Sequence, residues 1–324
     1  MTGNNIAIKA YVESWPIDGV FNIAHGSRTE SQVIICEITD GHITAYGEAY
    51  PYNRFNETID SVLADIDNYR DQITKNPNRA ALLNIMPAGS ARCAIDLALW
   101  DLESKKSNKQ IWQLADLPQP RAITTAFTIS IGSLEEVTAD IKKNSDKKIL
   151  KIKLSGDELD KERIIIARKY SPNSKIIIDA NESWDLEKYH ELINICQENN
   201  IAMIEQPFMA KHDELLRNLE RPIPICADEA CHTSQDLRGL VGKYDMVNIK
   251  LDKTGGLTEA INLYYAARIL GFKIMLGCMV TTSLSIRPAY YLAQKADLVD
   301  IDGFVLLEKD REGGLQFKDS MVFE

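Results

Sequence analysis

Five short apolar segments, each followed by a charged residue, recur at nearly even intervals in the middle of the chain. In the segment that ends at Asp179, three isoleucines precede the acid, which is typical of a buried strand. Successive charged residues lie 26, 26, 23 and 22 positions apart. The five charged residues are Lys153, Asp179, Glu205, Asp228 and Lys250. This spacing leaves room for one strand and one helix per interval, and predicts a run of strand–helix units with parallel strands.

The same alternation of strands and helices extends from residue 121 to residue 302. Eight strands are predicted, at 124–129, 149–154, 175–179, 202–205, 223–227, 246–251, 273–276 and 298–302. Helices at 213–219 and 234–241 are among those expected between them. Eight parallel strands are the pattern of a (β/α)8 barrel, but the span is short for one. We therefore predict a modified TIM barrel of the (β/α)7β type. A doubly wound sheet is the main alternative, although it does not explain charges at so many consecutive strand ends.

The first hundred residues show a different pattern. Apolar alternation in three segments around an Asp40-Gly41 turn predicts an antiparallel three-stranded sheet. Two stretches with helical periodicity follow. The predicted strands are 6–13, 32–39 and 42–48, and the predicted helices are 56–73 and 88–104. Strands followed by helices predict a small α+β domain.

The fold class is therefore α/β, with three parts. We expect an α+β capping domain at residues 1–120, the barrel at 121–302, and a C-terminal segment at 303–324 that returns to the capping domain and completes it. A chain of 324 residues with 45% hydrophobic and 26% charged residues is typical of a soluble globular protein with two domains.

Charge and cysteine content exclude several classes of function. The net charge of -10 argues against a nucleic-acid or anionic-membrane partner, because both are bound mainly by clustered Lys and Arg. The six cysteines contain no CxxC pair, so neither a zinc site nor a disulfide framework is indicated. The N-terminus lacks a signal-peptide pattern, and we expect a cytoplasmic protein. No sequence feature specifies an oligomeric state.

The barrel interpretation brings the five charged residues together, because the C-terminal ends of barrel strands face one site. Asp179, Glu205 and Asp228 would then supply three carboxylates without histidine or cysteine. Such a set suits a hard cation, and we predict Mg²⁺, for which Mn²⁺ could substitute.

The two lysines predict the chemistry. Lys153 and Lys250 lie on strands four apart in a ring of eight, so they would face each other across the site. A metal-bound substrate carboxylate favours loss of a proton from the neighbouring carbon. Lys151, on the same strand face as Lys153, and the metal could lower the pKa of a lysine base. One lysine would remove the proton and the other would return it on the opposite face, which is the reaction of a two-base racemase or epimerase.

Several motifs together resemble the enolase superfamily, specifically its muconate lactonizing enzyme subgroup. They are Lys151-Ile152-Lys153, Asp179-Ala180-Asn181, Glu205-Gln206-Pro207, Ala227-Asp228-Glu229 and Asn248-Ile249-Lys250-Leu251. Asp300-Ile301-Asp302 at the eighth strand further resembles the Asp-x-Asp of the dipeptide epimerases, where it binds the substrate's α-ammonium. Both Asp side chains would lie on one strand face.

The resemblance implies further roles and a substrate. Thr128 and Lys151 would contact substrate, and Arg28, in the segment Ile23 to Arg28, would receive a glutamate side-chain carboxylate through its bidentate fork. Asn181 and Glu229 would support the site, Glu229 by a hydrogen bond to Lys250 or by orienting Asp228. The implied activity is Mg²⁺-dependent epimerisation of L-Ala-L-Glu to L-Ala-D-Glu, a fragment of murein peptide.

Two alternatives stay open. An o-succinylbenzoate synthase or muconate cycloisomerase of the same subgroup could use the same lysines and metal, but its substrates carry no ammonium for Asp300 and Asp302. A non-catalytic barrel that binds an anionic metabolite is the other alternative. Binding alone does not require two opposed lysines.

Overall fold

A computed structural model describes residues 6–23 and 26–324 of the chain. The N-terminal part begins with an antiparallel sheet of β1 (Ile6–Ile23), β2 (Gly26–Asp40) and β3 (Ile43–Ala49) in that order. The predicted three-stranded sheet is confirmed, but β1 runs well beyond residue 13. Its register with β2 shifts between Pro16 and Phe21, and such an irregularity breaks the alternation by which a strand is recognised in a sequence.

Four helices follow this sheet, and the first and third of them pack on it. They are α1 (Ile59–Lys75), α2 (Arg79–Ile85), α3 (Ser90–Ser107) and α4 (Ile111–Leu114). Helix α3 lies directly on β3: a Cβ at Gly47 would be 2.0 Å from the Ala94 carbonyl oxygen and 2.5 Å from the Ala98 nitrogen. Small residues on both elements thus allow close packing. Both predicted helices are present, whereas α2 and α4 are additional.

Most of the remainder forms an eight-stranded parallel sheet in which neighbouring strands follow one another along the chain. Its end strands meet, because the Ala126 nitrogen donates a 2.8 Å hydrogen bond to the Val299 oxygen, and so the sheet closes into a barrel. A two-residue strand, β4 (Ile123–Thr124), precedes it. The barrel strands are β5 (Phe127–Ile129), β6 (Ile149–Lys153), β7 (Lys175–Asp179), β8 (Ile201–Glu205), β9 (Ile225–Ala227), β10 (Met246–Ile249), β11 (Lys273–Gly277) and β12 (Leu298–Asp300). The predicted barrel is confirmed.

Helices connect consecutive barrel strands. They are α5 (Leu134–Lys143), α6 (Asp160–Tyr170), α7 (Leu186–Glu198), α8 (Leu237–Leu240), α9 (Leu251–Thr254), α10 (Leu257–Ile269) and α11 (Ser283–Ala293). In the described residues after β12, the only helix is a 3-10 helix, Gly303–Leu306. The predicted absence of the last α-helix is therefore confirmed. No helix among the described residues is long and apolar enough to cross a membrane.

Two predicted helices differ from the structure. A 3-10 helix, Ala210–Asn218, replaces the α-helix expected at 213–219. Prolines at 207, 222 and 224 flank this short connection and restrict its backbone. Helix α8 begins three residues later and ends one residue earlier than the predicted 234–241. Before it, Asp236 Oδ2 accepts hydrogen bonds from the His232 and Thr233 nitrogens and holds a turn there, and Val241 with ψ 129° ends the helix.

The C-terminal segment contacts both halves of the chain. Leu307 forms an isolated bridge with Ile17, and Arg311 Nη2 lies 2.8 Å from Glu48 Oε2. Farther on, β13 (Gln316–Lys318) and β14 (Met321–Phe323) form an antiparallel sheet with β4. The domain limits stay a prediction, but residues 307–311 pack on the capping sheet.

Candidate active site

Side chains inside the barrel form an apolar cluster. It consists of Ala126, Ile177, Met203, Cys226, Met246, Met275 and Leu298, with the partly buried Ile149. Side chains two residues apart on a strand point the same way. The next inward-facing position of each strand is therefore nearer the C-terminal end of the barrel.

These next positions form what we call the polar tier. Its members are Thr128, Lys151, Asp179, Glu205, Asp228, Asn248, Gly277 and Asp300. All are buried, and all except Gly277 carry polar side chains. Lys153 lies two residues beyond Lys151, and Lys250 lies two residues beyond Asn248. Both lysines are therefore nearer the C-terminal opening of the barrel. The even spacing of the strands in the sequence thus places acids and lysines together in a buried group at the C-terminal end of the barrel.

Lys151 lies at the centre of the polar tier. Its Nζ is 2.7 Å from Glu205 Oε2, 2.8 Å from Asp300 Oδ2 and 3.1 Å from Asp179 Oδ2. Burial disfavours the charge, but Asp300, Glu205 and Asp179 outweigh burial and raise the pKa of Lys151 well above its usual value. One ammonium group therefore neutralises acids from three strands.

Lys153 and Lys250 each bind a different acid. Lys153 Nζ donates a 2.6 Å hydrogen bond to Asp179 Oδ2, and Lys250 Nζ donates a 2.8 Å hydrogen bond to Asp228 Oδ2. Lys153 ends β6 and Lys250 follows β10, four strands away in the closed ring. Both lysines line one cavity. They thus approach this space from opposite sides.

The direction of the Lys250 pKa differs from the sequence expectation. Burial lowers the pKa and so does Lys151, as expected of a nearby cation. Asp228, in direct contact with the ammonium, outweighs both and raises the pKa above its usual value. Lys151 therefore acts in the expected direction, while the contact with Asp228 makes the net change an increase in the arrangement described here.

The three predicted metal ligands lie on adjacent strands, and Asp179 and Glu205 are register partners. Burial opposes ionisation of Asp179, but Lys153 and Lys151 hold its pKa below the usual range. Burial and Asp179 raise the pKa of Glu205 to about 7. The ammonium groups of Lys151, Lys153 and Lys250 lie among these acids. Within residues 6–23 and 26–324, no group of three or more His, Cys, Asp or Glu side chains is arranged so that it could hold a metal ion.

The three predicted ligands nevertheless carry the type of donor atom that a divalent cation requires. Asp179, Glu205 and Asp228 present only oxygen atoms, which hard cations prefer. Glu205 Oε2 is buried, and its partner is the ammonium of Lys151, whose Nζ is 2.7 Å away. This oxygen already faces positive charge, which a buried carboxylate requires, and a divalent cation would meet the same requirement.

Asp300 and Asp302 form an acidic wall of the same cavity. Asp300 Oδ1 is buried and has no hydrogen-bond partner. Asp302 Oδ2 accepts a 2.7 Å hydrogen bond from the Thr128 nitrogen, and burial together with Asp300 raises the pKa of Asp302 to about 7. Strand β12 ends at Asp300, so the expectation that both acids belong to one strand is wrong. Asp302, which directly precedes the 3-10 helix Gly303–Leu306, still lines the cavity.

The capping domain supplies the opposite wall. Arg28 on β2 lines the cavity, and its guanidinium lies 5.1 Å from the centre of the Tyr50 ring. Tyr52 also lines the cavity. In the motif that contains Arg28, Ala24 and His25 lie outside the described residues.

Asn181 and Glu229, the two residues predicted to support the site, have different surroundings. Asn181 lines the cavity with a left-handed backbone, φ 46°. Glu229 is buried, and burial and Asp228 raise its pKa to about 8. Glu229 Oε2 accepts no hydrogen bond. In the part of the chain that the structure describes, Lys250 Nζ donates its hydrogen bond to Asp228 and not to Glu229. Lys253 orients Asp228 instead, with its Nζ 2.6 Å from Asp228 Oδ1.

Comparison with known families agrees with this geometry. Residues 5–115 match the mandelate racemase / muconate lactonizing enzyme N-terminal domain, and residues 136–322 match the enolase C-terminal domain-like family. The chain belongs to the mandelate racemase / muconate lactonizing enzyme family of the enolase superfamily.

Two curated relatives of this enolase superfamily member cover nearly its whole length. The L-Ala-D/L-Glu epimerase of Escherichia coli is 41% identical over 96% of this chain and 97% of its own. An N-acetyl-D-glutamate racemase of a Pseudoalteromonas species is 38% identical over 90% of this chain and 92% of its own. Epimerases and racemases are isomerases, and the chain is an enzyme of that class.

Solved structures of superfamily members are similar as well. An Agrobacterium tumefaciens enolase family member with homology to dipeptide epimerases, with bound sodium and L-Ala-L-Glu, has a TM-score of 0.95 and 41% identity. The match covers 98% of this chain and 97% of that one. A dipeptide epimerase from Methylococcus capsulatus, complexed with Mg and L-Arg-D-Lys, has a TM-score of 0.87 and 29% identity over 98% of this chain and 96% of its own.

Three residues of the site were missed as site residues in the sequence. Asn248 Nδ2 donates a 2.7 Å hydrogen bond to Glu205 Oε1, and Gln206 Oε1 accepts a 2.9 Å hydrogen bond from the Asp228 nitrogen. Lys253 is the third. Asn248 could have been found, because it lies two residues before Lys250 and therefore on the same strand face. Gln206 belongs to the motif Glu205-Gln206-Pro207 but was given no role, and no comparable signal marks Lys253.

Proposed function

We propose that this enzyme is a dipeptide epimerase that interconverts L-Ala-L-Glu and L-Ala-D-Glu by 1,1-proton transfer at the α-carbon of the C-terminal residue. One observation carries the proposal. Lys153 and Lys250 reach one cavity from opposite sides, and the same cavity has an acidic wall of Asp300 and Asp302. Because L-Ala-D-Glu is a murein fragment, a role in cell-wall peptide metabolism in the cytoplasm follows from the proposal.

The lysines would act as a pair of bases. The lysine that enters the cycle as the free amine removes the α-proton through its Nζ. The opposite lysine, as the ammonium, returns a proton to the other face of the carbon, and the configuration is inverted. In the reverse direction the two side chains exchange these roles.

Asp179, Glu205 and Asp228 would hold the divalent cation, for which Mg²⁺ is proposed and Mn²⁺ is a possible substitute. When bound, the cation supplies positive charge to the substrate carboxylate, which makes the α-proton more acidic. The ammonium of Lys151 would offset part of the negative charge of these acids and of Asp300. Asn181 lines the cavity beside these acids.

The two ends of the dipeptide would meet opposite walls. The unpartnered Asp300 Oδ1 and the carboxylate of Asp302 provide acceptors for an α-ammonium group. Across the cavity, Arg28 offers a bidentate donor for the glutamate side-chain carboxylate. Thr128 fixes Asp302 through its backbone nitrogen.

Racemisation of an N-acylated glutamate is the second candidate, and the Pseudoalteromonas relative favours it. Its substrate has no ammonium group, and neither has that of an o-succinylbenzoate synthase or muconate cycloisomerase. An acidic wall would then face an uncharged part of the ligand with a buried, unpartnered oxygen. This cost favours the dipeptide.

Hydrogen exchange distinguishes the candidates. The protein is incubated in D₂O with Mg²⁺ and, separately, with L-Ala-L-Glu, N-acetyl-L-glutamate or a succinylbenzoate precursor. We expect deuterium at the glutamate α-carbon of the dipeptide and formation of both epimers, measured by proton NMR. Absence of exchange in the dipeptide, together with turnover of either other substrate, would overturn the proposal.

A further inference from the structure

Asn248 has a contact that spans a strand. It lies on β10 and is fully buried, yet its Nδ2 reaches past β9 and donates a 2.7 Å hydrogen bond to Glu205 Oε1 at the end of β8. The polar tier otherwise joins Glu205 to the ammonium of Lys151. Asn248 is thus a neutral donor to an acid whose other neighbours are charged.

Gly277, on the adjacent β11, leaves the space that the Asn248 amide occupies. A Cβ at Gly277 would lie 2.5 Å from Asn248 Oδ1, 2.9 Å from Nδ2 and 3.1 Å from Cγ. Gly277 is not among the glycines with positive φ, so its backbone conformation is open to any residue. The lack of space beside the Asn248 amide, and not the backbone conformation, therefore disfavours a side chain at this position.

We propose that Asn248 is a positioning residue for Glu205, and that Gly277 keeps the Asn248 amide in place by lacking a side chain. The inference rests on the proposed metal site, in which Glu205 is a ligand. Asn248 fixes Glu205 through Oε1, so that Oε2, which faces the Lys151 ammonium at 2.7 Å, is the oxygen left for a cation. Partners of metal ligands orient them and strengthen metal binding.

The test measures Mg²⁺ affinity by isothermal titration calorimetry, without substrate, and the thermal unfolding of each metal-free variant. Asn248→Ala and Gly277→Ala are each expected to weaken Mg²⁺ binding by about tenfold or more, the usual effect of removing a partner of a metal ligand. The double variant is expected to bind as Asn248→Ala does, because Gly277 acts through the amide. Gly239→Ala is the matched control, since a Cβ there meets no atom within 4 Å.

Glu205→Gln separates this inference from the metal site itself. If Glu205→Gln loses Mg²⁺ while folded Asn248→Ala binds as the wild type does, the positioning role is overturned and the metal site stands. Additive losses in the double variant would overturn the role of Gly277. If Glu205→Gln binds Mg²⁺ with wild-type affinity, the proposed site is wrong, and the inference fails with it. Asn248→Ala keeps the test valid even where Gly277→Ala does not fold.

Discussion

Arg54 Nε of the capping domain donates a 2.6 Å hydrogen bond to Glu182 Oε2 of the barrel. Arg54 belongs to the 3-10 helix Asn53–Phe55, and Glu182 follows the cavity residue Asn181. Phe55 of the same helix packs on His232 with the ring centres 4.2 Å apart. The segment that carries Tyr52 into the cavity is thus attached to the barrel at two points.

Arg54→Ala should therefore raise the KM for L-Ala-L-Glu more than it lowers kcat, because the capping segment is released while both lysines stay in place. The free energy of unfolding should fall by about 1–3 kcal/mol, because solvent weakens the pair at Arg54, which is 37% exposed, but Glu182, which is 1% exposed, loses a partner. Steady-state kinetics and urea unfolding measure both effects. Arg70→Ala, which removes an exposed pair with Asp67, is the control. An unchanged KM would contradict the attachment.

Lys153→Ala and Lys250→Ala should each reduce epimerisation by about 10²- to 10⁴-fold, the usual contribution of a positioned acid or base. Each variant keeps one lysine, so slow exchange of the α-proton should survive for one stereoisomer and differ between the two variants. Proton NMR in D₂O, starting from L-Ala-L-Glu and from L-Ala-D-Glu, measures this. Lys309→Ala, at an exposed position, should behave as the wild type. Equal residual exchange from both epimers in both variants would refute a two-base mechanism.

The charged strand ends were predictable because apolar β-branched runs identify buried parallel strands. Their spacing then located the barrel and its C-terminal face. The boundaries were less exact: Asp228 and Lys250 lie just after their strands rather than within them. Since one position beyond a strand still faces the site, this difference left the predicted cluster intact.

Gln206 shows what the sequence does not reveal. Its backbone has φ 34°, unusual for a residue with a side chain, and its Oε1 accepts hydrogen bonds from the Asp228 and Ala230 nitrogens. This arrangement depends on where β8 ends relative to β9, which is a tertiary relationship. The ion pairs of Lys151 with acids of three strands also depend on ring closure, and no local pattern encodes them.

Asp302→Asn should lower kcat/KM for L-Ala-L-Glu by about 10- to 100-fold, the effect of losing one hydrogen bond to a charged group. The amide oxygen can still accept from the Thr128 nitrogen, so the local structure is retained. The free dipeptide is compared with N-acetyl-L-Ala-L-Glu, in which the ammonium is absent. We expect the preference for the free dipeptide to shrink. If both substrates lose activity equally, Asp302 does not recognise the ammonium.

Asp96 should make stability depend on pH. It is fully buried, and burial raises its pKa to about 6, although its carboxylate accepts hydrogen bonds from Thr258 and is near Arg79 and Arg92. The folded state therefore binds this proton more tightly than the unfolded chain does. The resulting stabilisation is complete below about pH 4 and is lost as the pH rises through about 6.

Asp96→Asn, which can still accept from the Thr258 nitrogen, removes this titration. Relative to the variant, the wild type should lose about 3 kcal/mol of unfolding free energy between pH 4 and pH 8. Urea unfolding at several pH values measures the difference. Near pH 4 both side chains are uncharged in the folded protein. The difference in unfolding free energy at that pH therefore reports only the replacement of the carboxyl group by an amide. A difference that stays constant with pH would show that Asp96 is ionised with an ordinary pKa in the folded protein.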